Sequence, residues 1–466
     1  MSAGPSHGDR LSDLDALLWH LEVDPALRSS VLVGVELAHA PEPDALADRL
    51  ERVSRAMPRL RHRVVASPLG IAAPHWELDA DFDLDYHLRV IGPPPRTGGR
   101  HALVAVAEPL ATDVLDLARP PWQMILVEGG AGQPAGVLFR FHHALSDGVG
   151  ALALAAAIFD LEADAPAPPM LPRPEPPEVG DLDRARADLD YELRRGLALA
   201  ARTLPRWAKG VGDALGAPEE TARGAVGRLR RLAQVATPGL APLSPVMTRR
   251  SLGTRLDVMT VPLAQLRAAG ACAGGTLNDA YLAGVLGGLR RYHDKHGAWP
   301  DALRVGIPVS HRSDHDAELG NAFVPLRLRA GIQVADPAHR VAAVHHLVAG
   351  ARAEPVIELA RSAAALAQRL PAVALGGVLS PLLRATDVIA SNVAGSPVPL
   401  YLLGAAVEGM VAWGPRSGAA VNLTMLGHAG ELAVGINIDP SAVPDADTLV
   451  ACLRAGFDEV LGLASG

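Results

Sequence analysis

Apolar residues recur along this chain with two periods, and the switches between them mark out its elements. SVLVGVEL (Ser30 to Leu37) is an apolar run of strand length. DALADRLERVSRAM spaces Leu46, Leu50, Val53 and Met57 three and four residues apart, as an amphipathic helix does. After the Pro-Pro-Trp at 120–122, QMILVEG and AGVLFRFHH read as two strands joined by the Gly-rich GGAGQPAG. An apolar helix is expected from about Val149 to Phe159.

A second αβ pattern starts near Arg250. LDVMTVPL, LRVGIPVS, NAFVPLRLR and DVIASNVAG read as strands, and TLNDAYLAGVLGGLRRYHDKH as a long helix. Residues 336–383 read as mainly helical. AVNLTML and ELAVGINI form a predicted hairpin around the four residues GHAG, and a last helix is expected from Asp445. Between the two patterns lies APAPPMLPRPEPPE, too rich in proline for a regular helix or a central strand, so it reads as an extended linker. Beyond it, residues 181–235 look helical. The resulting division is an αβ domain over 1–162, a Pro-rich and helical linker over 163–249, and a second αβ domain over 250–466.

Composition narrows the function class. A net charge of −8 argues against a dedicated nucleic-acid binder. Two distant cysteines, Cys272 and Cys452, define neither a disulfide framework nor a metal cluster, so a reducing compartment is expected. The first residues lack the basic and apolar regions of a signal peptide, and no apolar run approaches the ~18 residues that span a bilayer. A cytoplasmic protein is expected, with any membrane or lipid-droplet contact peripheral. From Glu192 to Val235, nine Lys or Arg face four Asp or Glu, a local excess of five positive charges in an acidic chain. That segment is either a solvated helix pair or an interfacial contact for lipid or acyl-CoA.

The candidate chemistry sits in FHHALSDG, Phe141 to Gly148. Given the chain's composition, HxxxDG arises by chance in roughly one such sequence in ten, and with a leading His in fewer than about one in a hundred. If VLFRFHH is a strand, Phe141 and His143 point one way and Arg140 and His142 the other, so at most one histidine faces a given channel. A neutral imidazole there can take a proton from an alcohol attacking a thioester, which needs no covalent enzyme intermediate. Asp147 has two compatible readings: a cap for the helix opening at Gly148, or a partner for an arginine, Arg304 or Arg312, that holds the loop. GxSxG is absent.

These motifs resemble the bacterial wax ester synthase/acyl-CoA:diacylglycerol acyltransferase family, within the HHxxxDG superfamily of CoA-dependent acyltransferases. LSDLDALLWHLE, RPPWQ (Arg119 to Gln123), HHALSDG, NDAYLAG (Asn278 to Gly284), IPVSHR (Ile307 to Arg312) and SNVAGSPVPLYLLGA (Ser391 to Ala405) match its blocks in order over nearly the whole chain. Two departures stand out: Pro121 replaces the family's leucine before tryptophan, and the loop after Asn392 lacks the proline before glycine.

The resemblance implies two similar chloramphenicol-acetyltransferase-like αβ domains with a channel between them. It implies transfer of a long-chain acyl group from CoA to diacylglycerol or a long-chain alcohol. His143 would be the base, with His142, Asp147 and Asn278 as further catalytic candidates and Gly148, Trp122, Asp279, Asn392 and Arg312 as substrate-binding candidates. Read from the residues, Asn278 can aim its amide at the thioester carbonyl from a helix first turn, Asp279 completes a capping box with Thr276, Asn392 is a turn residue or a channel liner, and Trp122 is a packed anchor. CoA is a substrate, and no metal or bound cofactor is called for. Two other readings stay open: a carrier-protein-dependent condensation or ester-forming enzyme, and an acyl-CoA- or lipid-binding protein without turnover.

Overall fold

A computed structural model describes residues 10–67, 72–92, 99–129, 135–146, 148–176, 180, 182–194, 197, 239–310, 323–352 and 372–464. The first half runs α1 (Asp13–Leu21), β1 (Ser30–Leu37), α2 (Pro43–Ala56), β2 (His62–Val65), β3 (His75–Leu78), α3 (Leu84–His87), β4 (Leu88–Ile91), α4 (Gly99–Leu110), β5 (Trp122–Val127), β6 (Ala135–His142) and α5 (Gly148–Ile158). Residues 165–176 carry no helix or strand, and 182–194 form α6. The second half runs β7 (Arg255–Pro262), α7 (Leu263–Cys272), α8 (Leu277–Lys295), β8 (Ala302–Ser310), β9 (Phe323–Gly331), α9 (Pro337–Ala351) and α10 (Ala372–Arg384). It ends with β10 (Val388–Ser396), β11 (Tyr401–Leu402), β12 (Ala405–Trp413), β13 (Val421–His428), β14 (Glu431–Ile438) and α11 (Ala446–Leu461).

α1 and α9 begin where a side chain caps a free N–H group. Ser12 Oγ accepts from the Asp15 N–H at 3.1 Å, and Asp336 Oδ1 from the His339 N–H at 2.8 Å. The stripe expected on α2 points inward: Leu46, Leu50 and Val53 are all buried in the first core, with Leu154 and Ile158 of α5.

Two six-stranded sheets, ordered β11-β12-β1-β6-β5-β4 and β7-β14-β13-β10-β8-β9, form the framework. Both mix strand directions: β4 is parallel to β5, and β10 is parallel to β13 and β8, while the other major pairs are antiparallel. The larger core lies between the second sheet and α7, α8, α9 and α11.

The sheets do not follow chain order. β12, from the second αβ pattern, pairs antiparallel with β1, Val33 opposite Ala412. Side-chain bonds at and beyond its end tie this crossing strand to the second sheet. Asn437 Nδ2 donates to the Gly414 carbonyl at 3.0 Å, Thr424 Oγ1 accepts from the Gly414 N–H at 3.2 Å, and Trp413 Nε1 donates to the Asp257 carbonyl at 3.0 Å.

Two expectations need correction. The hairpin turn is two residues, Ala429-Gly430, because β13 continues through Gly427 and His428, which pair with Leu432 and Glu431 of β14. Both turn residues have positive φ, 46° and 93°, which matches the twist of the flanking strands. β6 stops at His142, so His143 does not share a strand face with Phe141. The basic segment is outside the described residues from 198 to 235.

Candidate active site

The histidine pair stands where the inner strand β6 gives way to a 3-10 turn, His143–Leu145, ahead of α5. His142 closes the strand. Its N–H donates to the Pro121 carbonyl at 2.9 Å, and it pairs across the sheet with Ser30. Its Nδ1 accepts the Ala144 N–H at 3.0 Å, so the ring's proton sits on Nε2. That nitrogen is 3.2 Å from Glu22 Oε1, off the line of a straight hydrogen bond, and Trp19 meets the ring edge-on at 5.1 Å. Expected beside His143 as catalytic, His142 is fully buried with Nδ1 committed to the turn. Its geometry is that of a capping residue.

His143 begins the turn and is half-buried, and its N–H donates to the Ser29 carbonyl at 2.8 Å. Ser29 is held in turn by Glu22, whose Oε1 accepts the Ser29 N–H at 2.5 Å. On the His142 face of β6, Arg140 is fully buried; its Nη2 donates to the Asp113 carbonyl, and Nη1 lies 3.6 Å from that residue's carboxylate. Burial lowers the Arg140 pKa, and the carboxylates of Asp113 and Glu22 partly offset this.

Trp122, expected to contact substrate, is 1% exposed and belongs to the first core. Its Nε1 donates to the Leu60 carbonyl at 2.7 Å, and its ring stacks on His87. Its role is an anchor for β5 beside the histidine pair, where Trp122 faces Phe141. Pro121 does not disturb this, since a proline there still offers its carbonyl to His142.

Asp279 is also structural in geometry. Its Oδ2 accepts from the Thr276 N–H and hydroxyl, both at 2.8 Å, while the Thr276 hydroxyl lies 3.3 Å from the Asp279 N–H. The same oxygen lies 2.8 Å from His345 Nδ1 on α9, a contact the sequence reading missed. Asn278 is half-buried in the first turn of α8, which packs on α7, α9 and α11. Asn392 lies within β10 and is exposed; it is a strand residue and not a turn residue. α5 packs against β10, so the helix after the histidine turn and the strand of Asn392 are neighbours. Gly148 opens α5. Asp147 and Arg312 lie outside the described residues. Arg304, the other candidate partner of Asp147, donates from Nη1 to the carbonyls of Ala241 and Ala385. Among the described residues, no three His, Cys, Asp or Glu side chains converge as a metal site requires.

Comparison with known proteins gives a consistent result. Residues 11–281 match the wax ester synthase/diacylglycerol acyltransferase catalytic domain, and 319–460 match the C-terminal domain of the same family. A Mycobacterium tuberculosis protein provisionally named diacylglycerol O-acyltransferase is 35% identical over 465 residues, covering 99% of this chain and 94% of the relative. A Mycobacterium bovis protein with the same provisional name is 30% identical over 434 residues, covering 87% and 81%. Among solved structures, the wax ester synthase/diacylglycerol acyltransferase from Marinobacter aquaeolei VT8 superposes with a TM-score of 0.62 at 20% identity, covering 98% of this chain and all of that one. The first condensation domain of the CDA synthetase superposes at 0.59 and 17% identity, covering 98% and 97%. At those identities the two structures speak for the fold.

Proposed function

The chain belongs to the wax ester synthase/diacylglycerol acyltransferase family, and from that premise we propose that it is an acyl-CoA-dependent O-acyltransferase in which His143 is the general base. The acyl group passes from CoA to the hydroxyl of diacylglycerol, giving triacylglycerol, or of a long-chain alcohol, giving a wax ester. The acceptor O–H gives its proton to the neutral imidazole as its oxygen bonds to the thioester carbonyl carbon. The carbon–sulfur bond then breaks, and the leaving thiolate takes that proton as free CoA. General-base assistance of this kind is worth ~10²–10⁴ in rate.

The observation that carries this reading is the contrast between the two histidines. His142 is buried with one ring nitrogen accepting a backbone N–H, whereas His143 is half-buried at the start of a turn. In the proposed site Asp147 and Arg312 steady the loop and Asn278 offers a hydrogen bond to the thioester oxygen. Asn392 and Gly148 line a channel between the two sheet-bearing regions, a role supported by the packing of α5 on β10.

The test is CoA release from palmitoyl-CoA with diacylglycerol or hexadecanol supplied separately, wild type beside His143→Ala. Acceptor-dependent release with triacylglycerol or wax ester formed, reduced at least about 10²-fold in the variant, is expected. Undiminished turnover by His143→Ala would remove His143 as the base.

We also propose that the enzyme meets its lipid substrates at a membrane or droplet surface through α6. No helix among the described residues is long and apolar enough to cross a membrane. One face of α6 is pinned by polar contacts. Asp188 accepts from Arg10 Nη2 at 2.6 Å and from Ser67 Oγ at 2.5 Å, and Arg184 donates to Glu77 at 3.0 and 2.9 Å. The opposite face carries Leu182, Leu189 and Leu193, continued by Leu197, and all four are more than half exposed. This apolar stripe runs into the basic 192–235 segment, a combination suited to anionic lipid.

A further inference from the structure

Glu22 follows α1 and has no part in the chemistry above, yet its carboxylate contacts both His142 and the residue that holds the His143 backbone. Its Oε1 accepts the Ser29 N–H at 2.5 Å and lies 3.2 Å from His142 Nε2. The carbonyl of the same residue, in the next peptide unit, completes the link: it accepts the His143 N–H at 2.8 Å. One carboxylate oxygen thus governs the backbone of His143 through a single intervening residue, and faces the proton-bearing nitrogen of His142.

The surroundings suit a carboxylate with a fixed position. The Glu22 side chain is 9% exposed, His142 is fully buried beside it, and Trp19, from the same helix end, closes over the His142 ring. Arg140, two residues earlier on β6, supplies the compensating positive charge on that face. A buried carboxylate without such compensation would be expelled or neutralised.

We propose that Glu22 is a positioning residue for the transfer reaction: by holding the Ser29 peptide and the Nε2–H form of His142, it fixes the turn from which His143 acts. The proposal rests on His143 being the base. Glu22 touches neither substrate nor reacting atoms. It sets where the His143 backbone lies, and that is the coordinate to which a proton transfer is most sensitive, since a displacement of about 1 Å can cost about 10²-fold in rate.

The experiment compares Glu22→Ala, Glu22→Gln and His143→Ala with wild type, reading kcat and KM for palmitoyl-CoA with diacylglycerol as acceptor. Thermal unfolding and the ring ¹⁵N signals of His142 are followed on the same proteins. Glutamine keeps an oxygen for the Ser29 N–H without the charge, and alanine removes both. In Glu22→Ala, kcat is expected to fall about 10- to 100-fold with KM within about threefold, and the His142 signals to shift from a single Nε2–H tautomer toward a mixture. Glu22→Gln is expected to recover at least about a third of the lost rate on a logarithmic scale, which a general loss of packing would not give. Full kcat in folded Glu22→Ala, or an unchanged His142 tautomer, overturns the proposal. Full kcat in His143→Ala instead overturns the assignment of the base, so the two failures are separable.

Discussion

The rings of His87 and Trp122 stack with centroids 4.4 Å apart, and His87 Nδ1 donates to the carbonyl oxygen of Trp122 itself at 2.7 Å. Phe82 also stacks with the imidazole, with centroids 5.0 Å apart. Burial pushes the His87 pKa down to about 4, with the Trp122 carbonyl opposing the shift. The sign for stability follows. Unfolded His87 binds a proton below about 6.5 and folded His87 only below about 4, so the unfolded state holds more protons between these values. Stability from this residue is therefore full above pH 6.5 and declines as pH falls toward 4, by at most about 3 kcal/mol. His75 and His293, also shifted down by burial, add slope of the same sign. In urea unfolding at pH 4.5 and 7, wild type is expected to lose more stability on acidification than His87→Gln. Equal losses in the two proteins would remove His87 as a source of the slope.

Asp279 joins the start of α8 to α9, since one oxygen serves both the Thr276 cap and His345. Its side chain is 3% exposed, whereas His345 is 43% exposed, so the cap is the sheltered half of the link. Removing a cap costs about 1 kcal/mol, and the N–H left unsatisfied raises this toward about 2 kcal/mol. Asp279→Ala is expected to lose that amount in denaturant unfolding, and His345→Ala less than half as much because water screens the exposed pair. A larger loss in His345→Ala than in Asp279→Ala would reverse this assignment.

Periodic, continuous segments were legible in the sequence. β1, α2, α8 and the β13–β14 pair follow from local apolar runs and spacing, because their buried positions lie close together in the chain. β12 was not found, since AAVEGMVAW carries Glu408 in its middle and its partner β1 lies near the other end of the chain. The pairing is set by tertiary packing that no local pattern encodes. At the site, the His–His pair and the Thr276–Asp279 cap were visible as motifs with local chemistry. Glu22 and Ser29 were not, because they act on the histidine turn through backbone N–H and carbonyl groups. The end of β6 at His142 also escaped alternation rules, since a 3-10 turn begins within the apolar run.

The apolar stripe on α6 predicts a surface whose loss leaves the catalytic centre alone. Leu189 and Leu193 are 53% and 56% exposed, so glutamate at both positions meets water without strain. Leu189→Glu/Leu193→Glu is expected to abolish cosedimentation with phosphatidylglycerol vesicles while turnover of detergent-dispersed substrates stays within about twofold. Binding equal to wild type would mean that another surface carries the contact.

At Gly435 of β14 the second sheet lies directly against the crossing strand β12. A Cβ built there would lie 2.1 Å from the Ala412 carbonyl oxygen and 3.0 Å from Trp413 Cδ1. That oxygen cannot step aside, because β12 is held in register against β1 with Val33 opposite Ala412. An alanine at 435 must therefore push β14 away from the crossing strand. Doing so stretches the bonds from Asn437 Nδ2 to the Gly414 carbonyl and from the Gly414 N–H to Thr424 Oγ1. Overpacking costs about 1–3 kcal/mol, and each weakened bond adds up to about 1 kcal/mol. Gly435→Ala is thus expected to lose about 2–4 kcal/mol in urea unfolding. Gly350, on α9, is the control: a Cβ there meets nothing within 4 Å. Gly350→Ala should gain about 0.5–1 kcal/mol from helix propensity. If Gly435→Ala matches wild type while the control gains, the sheets have room between them, and β12 is joined to the second sheet by its side-chain bonds alone.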